Sequence, residues 1–297
     1  MLPHPAPNSA APASAYAALV AAAVAMGVSP IFVRLADVGP FTSAFWRVTL
    51  ALPVLWLWMR LSPPEADEAP KRFSLPVVLA GLAFAGDLFF WHLAIFKTSV
   101  ANATFFATTA PLFVVLFGFL LFGQRVRGNV LAGLALCIAG GGALAGESFG
   151  ISDTRVLGDV FGVCTAVFFG LYFLAVTAAR VRMPAARVTF ELSLVTAAIL
   201  LAIALAFENR FWPQGLRGWA ALCGMAWISH AGGQGLLSVA LGRLPAVFSS
   251  LVIFLEAIAA ALFGWLILSE PVSLLQAAGG LVILAGIWIS RPKPDAM

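Results

Sequence analysis

The chain has 297 residues, of which 62% are apolar and only 10% are charged, and its formal net charge is +4. Together with a mean hydropathy of +1.00, this composition excludes a soluble globular protein and predicts an integral membrane protein with several spans. The excess of basic residues does not indicate a nucleic-acid partner, because these residues are scattered through short loops beside apolar runs.

The apolar runs predict ten membrane-spanning helices. Residues 1–14 lack the basic residues of a secretory signal and are predicted to form a disordered tail. A helix of about 20 apolar residues is long enough to cross a bilayer. Divided at proline, glycine and charge clusters, the remaining chain gives the runs 15–33, 41–59, 75–96, 102–122, 129–145, 157–179, 185–207, 216–241, 246–268 and 274–290. The one long charged connection covers 60–72, so we expect no domain outside the membrane.

The distribution of Lys and Arg predicts the orientation of these helices. The loops on the side of the two termini carry eleven Lys and Arg, whereas the loops on the opposite side carry five. Because basic residues are enriched in cytoplasmic loops, both termini are predicted to be cytoplasmic.

An internal repeat relates the two halves of the chain. A shift of 146 residues places 97–124 on 243–270 without a gap, so that Phe117-Gly118 meets Phe263-Gly264 and Gln124 meets Glu270. Each half then has five spans, and because five is odd, the second half is inserted with the opposite orientation. We predict an all-α integral membrane protein in which ten transmembrane helices form two inverted five-helix repeats around a central cavity. The first repeat covers 15–146 and the second 157–290, with a linker at 147–156 and a C-terminal tail at 291–297.

Several motifs resemble those of a known family of transporters. They are SPIFVRL at 29–35 with FWR at 45–47, GDLFFWH at 86–92, TSVANAT at 98–104, and the run from AP to FGQ at 110–124. These motifs resemble bacterial EamA-domain proteins of the drug/metabolite transporter superfamily, and the resemblance covers essentially the whole chain. It implies ten helices, cytoplasmic termini and export of small metabolites across the inner membrane. Among members, the chain resembles the exporters of aromatic amino acids, which implies a cargo of this kind. The chain departs from the family pattern at Gln124, where a glutamate is common, and at Ala257, where a proline often follows the glutamate.

The third run carries the first candidate substrate-binding residues. Asp87 and Trp91 are four residues apart and share a helical face with Phe84, and His92 lies on the flank of that face. A carboxylate can bind an ammonium group, and aromatic rings stack on a solute or bind a cation. Alternatively, Asp87 is a structural partner of Arg47 and Trp91 only packs.

A second candidate group lies in the eighth run. Trp227, His230 and Gln234 have the spacing i, i+3 and i+7, which predicts one stripe on an α-helix. Asp87 corresponds to Gly233 in the repeat, so the third and eighth helices are equivalent and are expected to form the cavity walls together. Tyr172, a polar side chain within the sixth run, joins these candidates.

Two acidic residues within the ninth and seventh runs have different predicted roles. Glu256 is central in its run and, with Asp87, is a candidate proton or ion carrier; the alternative is a carboxyl group hydrogen-bonded to a neighbouring helix. Glu191 lies near the cytoplasmic edge and four residues after Arg187, which predicts an ordinary boundary ion pair.

The second and fourth runs contain one further candidate each. Arg47 could bind a substrate carboxylate through its forked guanidinium, but pairing with Asp87 is the interpretation we favour, because an unpaired buried charge is costly. Pro111 removes a backbone donor and is expected to bend its helix near Ala107. We therefore predict a gating role for Pro111.

The sequence as a whole favours a secondary exporter of neutral or aromatic amino acids that works by alternating access. The chain has no GxxxxGK[ST] phosphate loop, so ATP drive is not encoded in it, and we expect no cofactor. Cys137, Cys164 and Cys223 lie in apolar runs at spacings that suit no metal site. The expected partners are a small-molecule substrate and membrane lipid, with a functional monomer. Alternatives are a cationic or drug-like cargo moved by proton antiport, a receptor or scaffold, or an intramembrane enzyme, although no HExxH or GxSxG motif is present.

Overall fold

The fold is given by a computed structural model of the chain, which describes residues 12–62, 72–146, 153–269 and 272–292. All regular elements in these ranges are helices, as the sequence predicts. The first half contains α1 (Ala13–Gly27), α2 (Ser29–Leu35), α3 (Pro40–Thr49), α4 (Leu52–Leu61), α5 (Leu75–Lys97), α6 (Val100–Thr108), α7 (Ala110–Phe122) and α8 (Gly128–Ala145). The second half contains α9 (Asp153–Arg180), α10 (Ala185–Phe207), α11 (Leu216–Gly224), a π-helical segment (Met225–Gln234), α12 (Gly235–Leu241), α13 (Ala246–Val252), α14 (Leu255–Leu268) and α15 (Leu274–Ser290).

These helices coincide with the predicted apolar runs. Within the described ranges, eight helical stretches are long and apolar enough to cross a membrane. Helix α15 is also apolar but has only 17 residues, and the run 216–241 is helical but interrupted by the π-helical segment. Helix α1 begins at Ala13, two residues earlier than predicted, and α9 begins at Asp153, inside the predicted linker. Most of the predicted N-terminal tail (1–11) and of the linker (147–152) lies outside the described residues.

Four of the helical stretches are broken near their middle. Helices α1 and α2 divide at Val28 before Pro30, α3 and α4 divide before Pro53, and α6 and α7 divide at Thr109 before Pro111. Proline causes such breaks because its nitrogen donates no hydrogen bond and its ring clashes with the preceding turn. The division between α13 and α14, in contrast, contains no proline.

The two halves interlock instead of forming separate bodies. Helix α5 packs along α9, α10 contacts both α3 and α5, and α1 contacts the π-helical segment, α12 and α14. Each of these pairs joins a helix of the first half to one of the second. One large hydrophobic core draws buried side chains from both halves, so the interface between the halves is the interior of the molecule.

Helices α8 and α15 approach so closely that only glycine fits between them. A Cβ atom built on Gly140 would lie 2.5 Å from the carbonyl oxygen of Gly279, and one built on Gly279 would lie 2.5 Å from that of Gly140. Gly133 faces Gly286 in the same way. Because the order of contacts along one helix is reversed along the other, α8 and α15 run antiparallel.

At one end of the bundle, the connection between α10 and α11 is fastened across α3. We refer to residues 208–215 as the strap. The carboxylate of Glu208 accepts hydrogen bonds from the backbone amides of Phe41 at 2.7 Å and Thr42 at 3.0 Å. Trp46 donates its indole N–H to the carbonyl of Phe211 at 2.8 Å. The strap therefore ties the N-terminal end of α3 to the end of α10.

Candidate functional site

A group of polar and aromatic side chains lies buried where the two halves meet. Each member is less than one-tenth exposed. We refer to these residues as the central cluster: Arg47, Asp87, Trp91, His92, Tyr172, His230 and Glu256. They come from α3, α5, α9, the π-helical segment and α14, so that helices of both halves contribute.

Aromatic rings form one wall of the central cluster. The ring of Phe84 packs between Tyr172, with centroids 5.0 Å apart, and His230, with centroids 5.3 Å apart. Trp91 contacts His92 edge to face at 4.9 Å. Stacked and edge-to-face rings provide a large, rigid apolar surface with polar edges. Such a wall suits an apolar or aromatic group on a bound solute.

Three charged side chains lie beside this wall. The guanidinium carbon of Arg47 is 5.3 Å from the centroid of Trp91, and Arg47 is close enough to Asp87 and Glu256 to interact with both electrostatically. The expected ion pair between Arg47 and Asp87 is nevertheless not formed, because no carboxylate oxygen of a described residue lies within 4.0 Å of the Arg47 nitrogens. The predicted Arg47–Asp87 ion pair is therefore wrong, and Arg47 instead interacts at longer range with the carboxylates of both Asp87 and Glu256.

Several buried atoms in the central cluster have no hydrogen-bond partner among the described residues. The Nδ1 atom of His92 is 2.8 Å from the carbonyl oxygen of Leu88, which leaves its Nε2 unpartnered. The Nε2 atom of His230 is 2.9 Å from the hydroxyl of Ser193, which leaves its Nδ1 unpartnered. The hydroxyl of Tyr172 is a third such atom. Buried polar groups without partners are costly, so these three atoms are candidates for binding water or a polar solute.

The structure separates Trp227 from the other candidates of the eighth run. Its side chain is 53% exposed, and its indole N–H donates to the carbonyl of Leu50 at 3.1 Å. The expected single stripe assumed α-helical spacing, whereas i→i+5 bonding in the π-helical segment widens each turn. This wider turn keeps Gln234 buried with His230 but rotates Trp227 to the outer surface. Gln234 donates to the sulfur of Met26 at 3.2 Å.

Glu191 lies outside the central cluster. Arg187 Nε is 2.8 Å from one of its carboxylate oxygens, which confirms the predicted boundary ion pair. The backbone amide of Phe73 donates to the other oxygen at 2.8 Å. Both oxygens of Glu191 therefore have fixed partners.

Pro111 lies at the predicted helix disturbance. Helix α6 ends at Thr108 and α7 begins at Ala110, so the break occurs just before Pro111. The hydroxyl of Thr108 donates to the carbonyl of Phe105 at 2.8 Å, and that of Thr109 donates to the carbonyl of Phe106 at 2.6 Å. These threonine hydroxyls donate to backbone carbonyls in the last turn of α6, next to the break, and within a membrane such backbone groups need protein partners.

Ser193, whose hydroxyl contacts His230, was not predicted from the sequence. Thr189, Ser193 and Thr196 are all fully buried on α10. Their spacing of four and three residues places them on one helical face, and this pattern could have identified a polar face directed at the interior. Only Ser193 among them contacts a member of the central cluster.

A multi-span helical bundle with a polar cluster buried between two halves is an arrangement typical of membrane transporters. Residues 13–143 and 156–291 both match the EamA-like transporter family, and the chain therefore belongs to this family. The protein is a membrane transporter.

Individual relatives agree with this assignment. The chain is 30% identical over 251 residues to the pseudopaline exporter CntI of Pseudomonas aeruginosa, covering 84% of this chain and 85% of the relative. It is 25% identical over 275 residues to an uncharacterized transporter of Archaeoglobus fulgidus, covering 89% and 92% of the two chains. A crystal structure that is 21% identical shares the fold, with a TM-score of 0.79 over 95% of this chain and 99% of the other. These relatives include no exporter of aromatic amino acids, so that finer assignment stays a prediction.

Proposed function

We propose that the protein is a secondary transporter that exports neutral or aromatic amino acids across the bacterial inner membrane by alternating access. The observation that carries this proposal is the central cluster, which combines a guanidinium, two carboxylates and an aromatic wall within an otherwise apolar bundle. An amino acid presents the complementary groups, namely a carboxylate, an ammonium and a side chain. Trp91, His92, Tyr172 and His230 are the proposed substrate contacts, with Asp87 beside them.

The packing of α8 against α15 supports the inverted repeat on which alternating access depends. The 146-residue shift makes Gly133 equivalent to Gly279 and Gly140 equivalent to Gly286. In the structure, Gly133 contacts Gly286 and Gly140 contacts Gly279. Replacing each glycine by its equivalent in the other half converts one contact into the other. A reciprocal pattern between antiparallel equivalent helices is what a two-fold pseudo-axis in the membrane plane produces. In this proposal all ten helical stretches cross the membrane, and both termini are cytoplasmic.

Export requires an energy source, which in a proton antiporter is the proton gradient. The central cluster contains two carboxylates that could carry the proton. Glu256 and Asp87 are the proposed proton carriers if the protein is an antiporter, and Pro111 is the proposed bending point of the gate. Uniport driven by the solute gradient is the alternative. The two mechanisms differ in pH dependence, since a flux that is insensitive to pH on both sides would exclude antiport through these carboxylates.

Two other cargoes are alternatives to an amino acid. The name of the relative from Pseudomonas aeruginosa makes pseudopaline a second candidate substrate. A cationic or drug-like cargo is less well supported, because it would benefit from Asp87, Glu191 and Glu256 in one cavity. Glu191 is instead held by Arg187 and the amide of Phe73.

Counterflow in proteoliposomes tests the proposal. Vesicles loaded with an unlabelled amino acid are diluted into labelled phenylalanine or leucine, and uptake of label against the gradient reports exchange. We expect counterflow in the wild type, a large reduction in Trp91→Leu, and little change in the matched variant Trp227→Leu, whose side chain lies on the outer surface. Counterflow of pseudopaline but of no amino acid would favour the second candidate. No counterflow of any amino acid would reject amino-acid export.

A further inference from the structure

We propose that Arg47 binds the carboxylate of the transported solute and makes the protein selective for solutes that carry a free carboxylate. This inference rests on the proposed function and deepens it, since it assigns a ligand group to a residue for which the sequence favoured a structural role. It follows from the surroundings of Arg47, from the contrast with other arginines, and from the position of the guanidinium beside the ring of Trp91.

Arg47 is buried without fixed partners. Its side chain is only 4% exposed. Its Nε atom has no hydrogen-bond partner, and its guanidinium makes no hydrogen bond or ion pair with the described part of the chain. A guanidinium has five donors and stays protonated in proteins. Asp87 and Glu256 interact with this charge only through space, and a buried guanidinium without hydrogen-bond acceptors is costly, so its donors are available to a bound carboxylate.

Other arginines in the chain show how structural arginines are satisfied here. Arg187 places its Nε 2.8 Å from the carboxylate of Glu191. Arg180 donates from Nε to the carbonyl of Ser238 at 2.8 Å and from another nitrogen to the carbonyl of Met183. Both guanidinium groups are therefore held by direct protein acceptors. Arg47 differs from both, which is expected if its acceptor is a solute that enters and leaves.

The ring of Trp91 orients the Arg47 guanidinium and leaves donors available. The guanidinium carbon lies 5.3 Å from the ring centroid, a distance at which cation–π attraction fixes the group. A carboxylate can accept two parallel hydrogen bonds from such a guanidinium, which a Lys ammonium cannot reproduce. Asp87 and Glu256 lie within electrostatic range of Arg47. In this proposal one of these two carboxylates binds the ammonium group of the same solute.

The arrangement sets the order of groups on the solute. The carboxylate binds Arg47, the amine faces Asp87 or Glu256, and the side chain packs against Phe84 and Tyr172. A solute in which the carboxylate is replaced by an amide or removed leaves the Arg47 charge unpaired. Such a solute is expected to bind much more weakly, since a binding group left buried without its partner incurs the full desolvation cost.

Competition in the counterflow assay tests this inference. Phenylalanine, phenylalaninamide and phenethylamine compete with labelled phenylalanine in the wild type, Arg47→Lys and Arg47→Gln. In the wild type, we expect phenylalanine to compete at least 30-fold better than either analogue that lacks a carboxylate. We expect a smaller preference in Arg47→Lys and a preference below threefold in Arg47→Gln. The matched control is Arg60→Gln, since Arg60 stacks on Trp56 at the same 5.3 Å but is exposed. This control is expected to keep the wild-type preference.

The possible results separate this inference from the proposed function. Counterflow of phenylalanine with equal competition by the amide in the wild type would overturn the role of Arg47 and leave amino-acid export intact. A folded Arg47→Gln protein that keeps the carboxylate preference would show that Arg47 only supports Asp87 and would also overturn the inference. If Arg47→Gln does not fold, the inference is tested by comparing the preference for phenylalanine over its analogues in the wild type and in Arg47→Lys, and an equal preference in both would overturn it. Absence of counterflow for every amino acid would reject the proposed function, and the inference with it.

Discussion

Removing the Glu208 carboxylate should loosen the strap from α3. In the structure, both carboxylate oxygens accept hydrogen bonds from backbone amides at the first turn of α3, at 2.7 and 3.0 Å. These amides have no acceptor within the helix, and the positive end of the helix dipole favours a carboxylate there. Glu208→Ala therefore removes two charge-assisted hydrogen bonds and one favourable helix-terminus interaction. All three contacts join the two halves of the chain.

The expected size of the effect follows from these contacts. A hydrogen bond to a charged group contributes about 1.5–3 kcal/mol when it is well shielded, and a carboxylate at an exposed helix N-terminus contributes about 0.3–1 kcal/mol. Because these hydrogen bonds are only partly buried, we expect the Glu208 carboxylate to stabilise the attachment of the strap to α3 by about 2 kcal/mol in total. If the strap is fastened in one conformation and free in another, this energy shifts their ratio by about 30-fold.

Accessibility of Ser43 measures the shift. Ser43 lies on α3 and is fully buried, so a cysteine at this position in a cysteine-free background should react slowly with a membrane-impermeant maleimide. We expect Glu208→Ala to increase the labelling rate about 30-fold and Glu208→Gln, which keeps one accepting oxygen, to increase it less. Arg210→Ala is the matched control, because the hydrogen bond between Arg210 and α3 is made by the backbone carbonyl of Arg210, which the substitution keeps. Equal labelling rates in Glu208→Ala and the wild type would refute the idea that the strap closes this end of the bundle.

Three further predictions concern other parts of the fold. Gly140→Ala should lower the apparent melting temperature in detergent, because its Cβ would meet a backbone carbonyl at 2.5 Å and such overpacking costs about 1–3 kcal/mol; Gly128→Ala, which meets nothing within 4 Å, should not. Pro111→Ala should join α6 and α7 and slow counterflow, and an unchanged rate together with unchanged cysteine accessibility would contradict its gating role. Ser193→Ala should raise the substrate concentration for half-maximal counterflow several-fold through loss of its histidine contact, whereas Thr189→Val, whose hydroxyl bonds only its own helix, should leave it unchanged.

The positions of the helices could be predicted because hydrophobic length and the need to satisfy backbone groups in lipid act locally. The same holds for the pairing of Glu191 with Arg187, which are one turn apart on α10. The break at Thr109 was also predictable within two residues, since Pro111 is a local cause. The break between α13 and α14 contains no proline. Its sequence signal is indirect, because the 146-residue repeat places Thr109 on Leu255 next to this break.

The central cluster was predicted in part. Asp87, Trp91, His92, Tyr172 and His230 were named from their polarity within apolar runs, and the structure gathers them. Trp227 was included by α-helical spacing, which the π-helical segment does not follow. That segment contacts helices distant in sequence, among them α1 and α3, and α-helical periodicity does not predict its wider turns.

Contacts between distant residues were the least predictable features. Glu208 and the amides of Phe41 and Thr42 are more than 160 residues apart, and no motif connects them. The relation between Arg47 and Asp87 failed for a different reason, because opposite charge predicts proximity but not an ion pair. In the structure, Arg47 and Asp87 interact electrostatically but form no ion pair.

The glycine contact between α8 and α15 bears on how such a chain could arise. Gly133 and Gly140 of the first half correspond to Gly279 and Gly286 of the second, and each half contacts the other's opposite member. A second copy of the first half, inserted upside down, could make the same two contacts with itself, Gly133 against Gly140 and Gly140 against Gly133. The face is thus self-complementary in the sense of an isologous interface. If the proposed inverted repeat arose by duplication, a five-helix ancestor inserted in both orientations would have made the same glycine contacts as an antiparallel homodimer.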